Sequence, residues 1–444
     1  MKDAFFSNIK NSKYFYPVIL AACTIAAYFP ILGNDFLYFW DDQWVVINRY
    51  TESGLNGKNL WAILTEFYHG QYAPLNESLY LILYTVFGGY KPFWFHLASL
   101  LLHIANALLV YYCIRLLLEI SRKIIVEHKE LTAFFTALIF AVHPFNVESV
   151  AWMSASKVLV YSFYYLLATY TFIKYLSCHC GLDPQSPAGK SLKYYLLTLL
   201  LFICSFLGKE QAVSFPLWIL LIYWLTGYSL KDKKVWLSVA PFLLLSFAFG
   251  IITILSQTGG RSLFDQSGYP FWQRIVYACY TFTEYLLKSV LPFKLSYLYP
   301  FPSVVGDPLP NWLLFYPMLL SCLALAFWKQ IITHKIWLFC LLFFGIHIAV
   351  ALHIISLSRF AVVADRYAYI ATIGVCFAVA YYTVIFIKRL KGNMKKGICV
   401  AFAAYLLYFG IYTNIRSRVW YNTDSLKKEI RELLKEREDF KELK

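Results

Sequence analysis

Long apolar stretches, separated by short polar or charged breaks, run through almost the whole chain. Stretches of about 16–25 residues recur, close to the roughly 20 that a bilayer-spanning helix needs. The pattern predicts spans at 16–33, 93–117, 131–143, 158–176, 193–207, 211–227, 235–255, 312–328, 335–353, 367–387 and 398–413. The period-two alternation of a membrane barrel is absent. The expected fold class is therefore an all-α polytopic membrane protein with about 11 transmembrane helices. The first apolar segment has a basic start and no small-residue cleavage pattern, so it reads as a retained helix.

Charge orients this bundle. The loops 120–130, 177–192, 228–234, 329–334 and 388–397 carry basic clusters such as Lys231, Lys233 and Lys234, or Lys388, Arg389 and Lys391. Lys and Arg collect on cytoplasmic loops, which explains the formal charge of +15 without nucleic acid. The loops 34–92, 144–157, 208–210, 256–311 and 354–366 then face outward. A crossing by 271–291 would place the basic 388–397 loop outside. That stretch, with Arg274, Glu284 and Lys288, is expected as an outer interfacial helix. Residues 1–413 read as one membrane domain, with 34–92 and 256–311 as its large outer loops. Residues 414–444 alternate Lys and Glu around Leu426, Ile430, Leu433 and Leu434, and read as an outward-facing charged helix. The 60% hydrophobic and 15% charged composition agrees with a bilayer protein. Eight of the ten cysteines fall in apolar segments, and Cys178-His179-Cys180 alone is too small a set for a tetrahedral zinc site.

Candidate chemistry gathers at the outer ends of the spans. Asp41 and Asp42 open the first outer loop, His143, Glu148 and Lys157 lie in the second, Lys209 and Glu210 form a tight turn, and Asp365 and Arg366 precede a late span. Ionisable groups at membrane depth are costly and mark sites or pathways; taken singly, each also suits an interfacial anchor or a loop-locking pair. Tyr72 and Asn76 belong to a polar-aromatic patch with Tyr68, His69 and Gln71, suited either to a sugar face or to the headgroup zone. His103 and Asn106 sit inside a span and are expected to be satisfied by neighbouring helices. Paired carboxylates attract hard cations, yet no further oxygen-ligand cluster accompanies these two.

Four motifs then carry a family resemblance over about residues 30–420. The first is Asp41-Asp42, with Asn48, Tyr72-x-Pro74-Leu75, Phe95-His96-Leu97 and Leu101-Leu102-His103-x-x-Asn106. The second is His143-Pro144-x-x-x-Glu148-Ser149-Val150-Ala151-Trp152. The third is Gly208-Lys209-Glu210 with Pro216. The fourth is Tyr285-Leu286 through Pro292, Leu295 and Tyr299, and then Asp365-Arg366-Tyr367-x-Tyr369-Ile370. Together they resemble the membrane part of the transmembrane-and-TPR O-mannosyltransferases and their bacterial relatives, of the GT-C class.

The resemblance implies a GT-C bundle that takes a sugar, mannose or a similar hexose, from a polyprenyl-phosphate carrier and passes it with inversion to a hydroxyl of a protein or glycan. It implies no metal and no cofactor. It implies Asp41 as base and Asp42 as positioning group, and a bacterial cell membrane with the site facing outward. Arg366, then Lys209 and Lys157, are the candidates for the leaving phosphate, because guanidinium and ammonium groups stabilise its growing charge. His143, Glu148, Glu210 and Asp365 are expected to orient these groups or to meet sugar hydroxyls, and 269–301 to wall the lipid groove. Two departures stand out. Ser156-Lys157-Val158 replaces an Arg-Lys-Asp run common in relatives, and a single charged helix stands where many relatives continue into a TPR array. A transporter is the first rival, disfavoured by carboxylates at the outer edge and no visible inverted repeat. A scaffold that keeps the fold without activity is the second.

Overall fold

The computed structural model describes residues 14–179, 188–258, 268–354 and 361–435. Half of the expected 177–192 loop, including Cys180, lies outside them, as do parts of the 256–311 and 354–366 loops and the last nine residues of the tail.

Apolar runs without internal helix breakers become long helices. These are α1 (Phe15–Tyr28), α2 (Pro74–Phe87), α3 (Pro92–Ile120), α4 (Lys129–Ala141), α5 (Lys157–His179), α6 (Ala188–Gly208) and α7 (Phe215–Leu225) in the first half. The second half has α8 (Lys233–Thr258), α9 (Phe271–Val290), α10 (Phe315–Thr333), α11 (Lys335–Ile348), α12 (Thr372–Arg389), α13 (Gly392–Val419) and α14 (Thr423–Lys435). Every predicted span coincides with a helix. Among the described residues, seven helices are long and apolar enough to cross a bilayer, and eight if α4 and the helix after it, bent by 52°, count as one span. The expected number of about 11 is not reached on that criterion: Glu210–Leu225 and Lys335–Ala351 are shorter apolar helices. The protein is a multi-pass membrane protein. The last span runs on to Val419, past the expected end at 413, before α14 begins.

Buried side chains of α1, α3–α8 and α11–α13 share one apolar core. α5 lies along α6, α3 packs between α4 and α5, and α12 closes on α4. The α5–α6 approach depends on Gly208, where a Cβ would sit 2.9 Å from the Tyr161 backbone. Within this core the His103 Nε2 donates to the Ala141 carbonyl (3.0 Å), so Nδ1 is left to accept from the Tyr369 hydroxyl (2.7 Å). Asn106 donates to the same hydroxyl and to the Leu159 carbonyl. His103 is satisfied on both nitrogens, as expected, whereas Asn106 places its donors but leaves its buried Oδ1 without a partner among the described residues.

The loops sort to two ends. At one end the Arg122 and Lys123 amides donate to the Leu225 carbonyl, and Glu127 and His128 line a cavity with Lys388 and Arg389. At the other end the first loop meets the C-terminal segment: the Asp35 amide donates to the Tyr421 carbonyl (2.8 Å) and Asn34 to the Ser417 carbonyl. α9 buries Gln273, Tyr277, Thr281 and Tyr285 along one side and exposes Phe271, Trp272, Ile275 and Leu287, the two-faced pattern of an interfacial helix.

Candidate active site

The site grows from the turn after α1. Phe39 adopts a positive φ of 60°, a conformation that costs a non-glycine residue roughly 1–2 kcal/mol. The turn delivers Asp41 and Asp42 to the start of a four-residue helix, Asp42–Val45. From there the two carboxylates diverge. Asp42 is 1% exposed; its Oδ1 accepts from the Ser154 amide (2.9 Å) and the Ser154 hydroxyl, and its Oδ2 from the Leu37 amide (2.9 Å). It latches the first outer loop to the second. Burial pushes its carboxyl up to about 6 against those hydrogen bonds. Asp41 instead lines a cavity of about 460 Å³ with Trp40, Gln43, Trp44 and Tyr297. Burial raises its carboxyl too, while the Arg366 and Lys157 charges pull it down.

Arg366 is fixed from behind. Glu148, on the short helix Val147–Ala151, accepts from the Arg366 amide (2.9 Å) and pairs with its guanidinium. The guanidinium carbon lies 5.4 Å from the Trp152 ring centre and 5.2 Å from that of Tyr367. Lys209, lifted out of α6 by the tight turn, places its Nζ 4.6 Å from the same Tyr367 ring and forms no ion pair among the described residues. Burial pulls its ammonium down to about 7. The Lys157 Nζ donates to Gln71 Oε1 at 2.5 Å. A second cavity, about 150 Å³, brings Tyr72, Lys157, Glu210 and Tyr367 together against Phe249 and Ile252 of α8. Its apolar wall comes from α6 and α8.

Three expected site residues take other places. His143 is fully buried; its Nδ1 accepts from the Phe145 amide and its Nε2 donates to the Ser289 carbonyl, so the ring braces a turn against α9. Asp365 is buried beside Glu148, with Arg416, Tyr299 and Lys288 also close to it. Burial and the Glu148 charge hold its carboxyl well above the usual range. Asn76 accepts from the Ser156 hydroxyl (3.0 Å), which also meets Tyr80, and so ties α2 to the turn before Lys157. Among the described residues no three His, Cys, Asp or Glu side chains converge as a metal set would.

Sequence reasoning missed Glu77, Tyr297 and the double duty of Tyr367. Glu77 accepts from Asn48 (2.9 Å), and burial raises its carboxyl to about 7 beside the Lys157 charge. A lone acid in the first turn of an otherwise apolar run was its only signal.

A helical bundle with two carboxylates, three cations and two cavities gathered at one end is a membrane fold of the GT-C class. The Archaeoglobus fulgidus oligosaccharyltransferase shares it: TM-score 0.50, 13% identity, covering 91% of this chain and 55% of that one. Within the class, the chain is similar to the protein O-mannosyl-transferases. The Homo sapiens protein O-mannosyl-transferase TMTC1 is 28% identical over 226 residues, 49% of this chain and 24% of that protein. The Drosophila melanogaster protein O-mannosyl-transferase Tmtc2 is 26% identical over 263 residues, 56% of this chain and 26% of that protein. The matches thus span about a quarter of the length of these curated relatives. No protein-family model matches the chain.

Proposed function

We propose that this protein is a glycosyltransferase that moves a sugar, mannose or a similar hexose, from a polyprenyl-phosphate carrier to a hydroxyl acceptor at the outer face of a bacterial cell membrane. The observation that carries the reading is the contrast between the two aspartates. Asp42 spends both oxygens on Leu37 and Ser154, whereas Asp41 faces a cavity large enough for an acceptor and feels Arg366 and Lys157.

In this reading the acceptor oxygen attacks the anomeric carbon while its proton passes to the Asp41 carboxylate. The bond from the anomeric carbon to the phosphate oxygen breaks on the opposite face, which inverts the centre. The lipid phosphate leaves with its electron pair, and Lys157, Lys209 and the outward side of Arg366 meet its charge. The smaller cavity suits the phosphate and first isoprenyl units, because Lys157 stands beside the apolar Phe206, Phe249 and Ile252. Tyr72 and Glu210 then lie within reach of the transferred sugar's hydroxyls.

The test is transfer from a radiolabelled polyprenyl-phosphate mannose in membranes carrying wild type or Asp41→Asn. Loss of transfer in a variant with unchanged melting temperature is expected. Full transfer by that variant overturns the base assignment. Comparing glycans of cells with and without the gene identifies the product.

A further inference from the structure

The Asp41 cavity has a lining unlike the rest of the site. Trp40, Trp44 and Tyr297 supply rings, Phe39 stands 78% exposed at its rim, Gln43 offers an amide, and Asp41 is the one charged lining residue among those described. Trp40 packs edge-on to Tyr297, with ring centres 5.3 Å apart. The remaining wall is apolar: Leu298, beside Tyr297, and Ile430, from α14. That helix is held in place by three contacts. Leu426 is fully buried, Arg416 pairs with Glu429, and the Thr423 hydroxyl donates to the Tyr38 carbonyl. Lys427 adds a contact with the Phe39 ring at 5.9 Å.

We propose that this cavity is an acceptor subsite for a neutral saccharide, closed on its outer side by α14. The proposal rests on the reading of Asp41 as the base. Three features select the ligand class. Aromatic faces bind the C–H faces of sugar rings, while the Gln43 amide and the Asp41 carboxylate can exchange hydrogen bonds with hydroxyls. An anionic acceptor would meet the Asp41 charge at first hand, because among the described residues the lining itself holds no cation and Arg366 and Lys157 act on Asp41 from outside it. An extended peptide would bury backbone amides and carbonyls against rings, with Asp41 and Gln43 as the polar side chains of the lining. The volume of about 460 Å³ falls in the range of small-ligand sites, about 300–1,000 Å³. Ile430 then sets the depth of the subsite.

The test measures binding without donor, so its outcome is independent of whether transfer occurs. The full chain in lipid nanodiscs is titrated with neutral disaccharides (maltose, cellobiose and a mannobiose), with a disaccharide bearing a uronic acid, and with a neutral Ser/Thr peptide, by saturation-transfer NMR. Saturable binding of at least one neutral disaccharide is expected, about tenfold tighter than the uronic acid form. Trp44→Ala should weaken it about tenfold, Trp44→Phe should recover part of the loss, and Ile430→Trp should fill the cavity and abolish it. Lys428→Ala, on the exposed side of α14, should change nothing. Should Trp44→Ala fail to fold, Ile430→Trp decides. Absence of binding by every neutral disaccharide, binding by the peptide alone, or an affinity indifferent to Trp44→Ala and Ile430→Trp overturns the proposal. If transfer fails while disaccharides bind as described, the proposed function falls and the saccharide site stands.

Discussion

Lys209 and Arg366 meet at one ring: the Lys209 Nζ lies 4.6 Å and the Arg366 guanidinium carbon 5.2 Å from the centre of Tyr367. The electron-rich face eases the approach of two like charges. Glu148 neutralises Arg366 from behind, which leaves Lys209 and Lys157 as the site's cations without an ion pair among the described residues.

That placement predicts a pH dependence. Burial lowers the Lys209 ammonium from 10.5 to about 7, so the charge a phosphate needs is lost as pH rises through 7. Affinity for polyprenyl phosphate should fall several-fold between about pH 6 and pH 9, and Lys209→Met should be weak and nearly flat over that range. For stability the sign is opposite: the folded pKa is depressed, so the fold gains stability as pH rises from about 7 toward 10.5. Binding isotherms in nanodiscs at several pH values decide the first point; an equally steep profile in Lys209→Met sinks it.

Arg366 is a second case where charge and geometry separate. Arg366→Lys keeps a cation near Glu148 but loses the planar fork, and donor affinity should fall about tenfold with the fold retained. Arg366→Ala strands Glu148, whose side chain is 2% exposed, and should cost about 3 kcal/mol or more. Thermal unfolding followed by tryptophan fluorescence separates the two.

Asp42 predicts a pH-dependent gap in stability. Its folded pKa, about 6, stands above the ordinary 3.8, so its contribution is fully present below about pH 4 and is lost as pH rises through 6. Asp42→Ala strands the buried Leu37 and Ser154 amides, at about 1–3 kcal/mol each. The variant should therefore melt well below wild type at pH 5, with the gap narrowing by pH 8. A constant gap contradicts the assignment.

Gly208→Ala should act at a distance from the chemistry. The added Cβ meets the Tyr161 backbone at 2.9 Å, which forces α6 off α5 and costs about 1–3 kcal/mol. Because Lys209 follows directly, donor affinity should fall with stability. Unchanged melting would show that the helices separate freely.

Tyr369→Phe offers a contrast within the core. It removes the partner of His103 and one partner of Asn106, at about 1–3 kcal/mol, while donor affinity stays at the wild-type value. Loss of affinity without loss of stability would place these residues in the site.

The helices and their approximate ends were legible in the chain, because a bilayer demands long apolar runs whatever the packing. The cluster of Asp41, Glu148, Lys157, Lys209, Glu210 and Arg366 was legible as well, since each stands at a span end on the same face. Tertiary structure alone separated Asp41 from Asp42, because the distinction rests on Leu37 and Ser154 donors that only folding brings to one carboxylate. It alone set His143 against the Ser289 carbonyl and brought Tyr297 and Ile430 against Asp41. Sequence period fixes which end of a helix a residue occupies; which partner fills its hydrogen bonds depends on contacts between segments hundreds of residues apart.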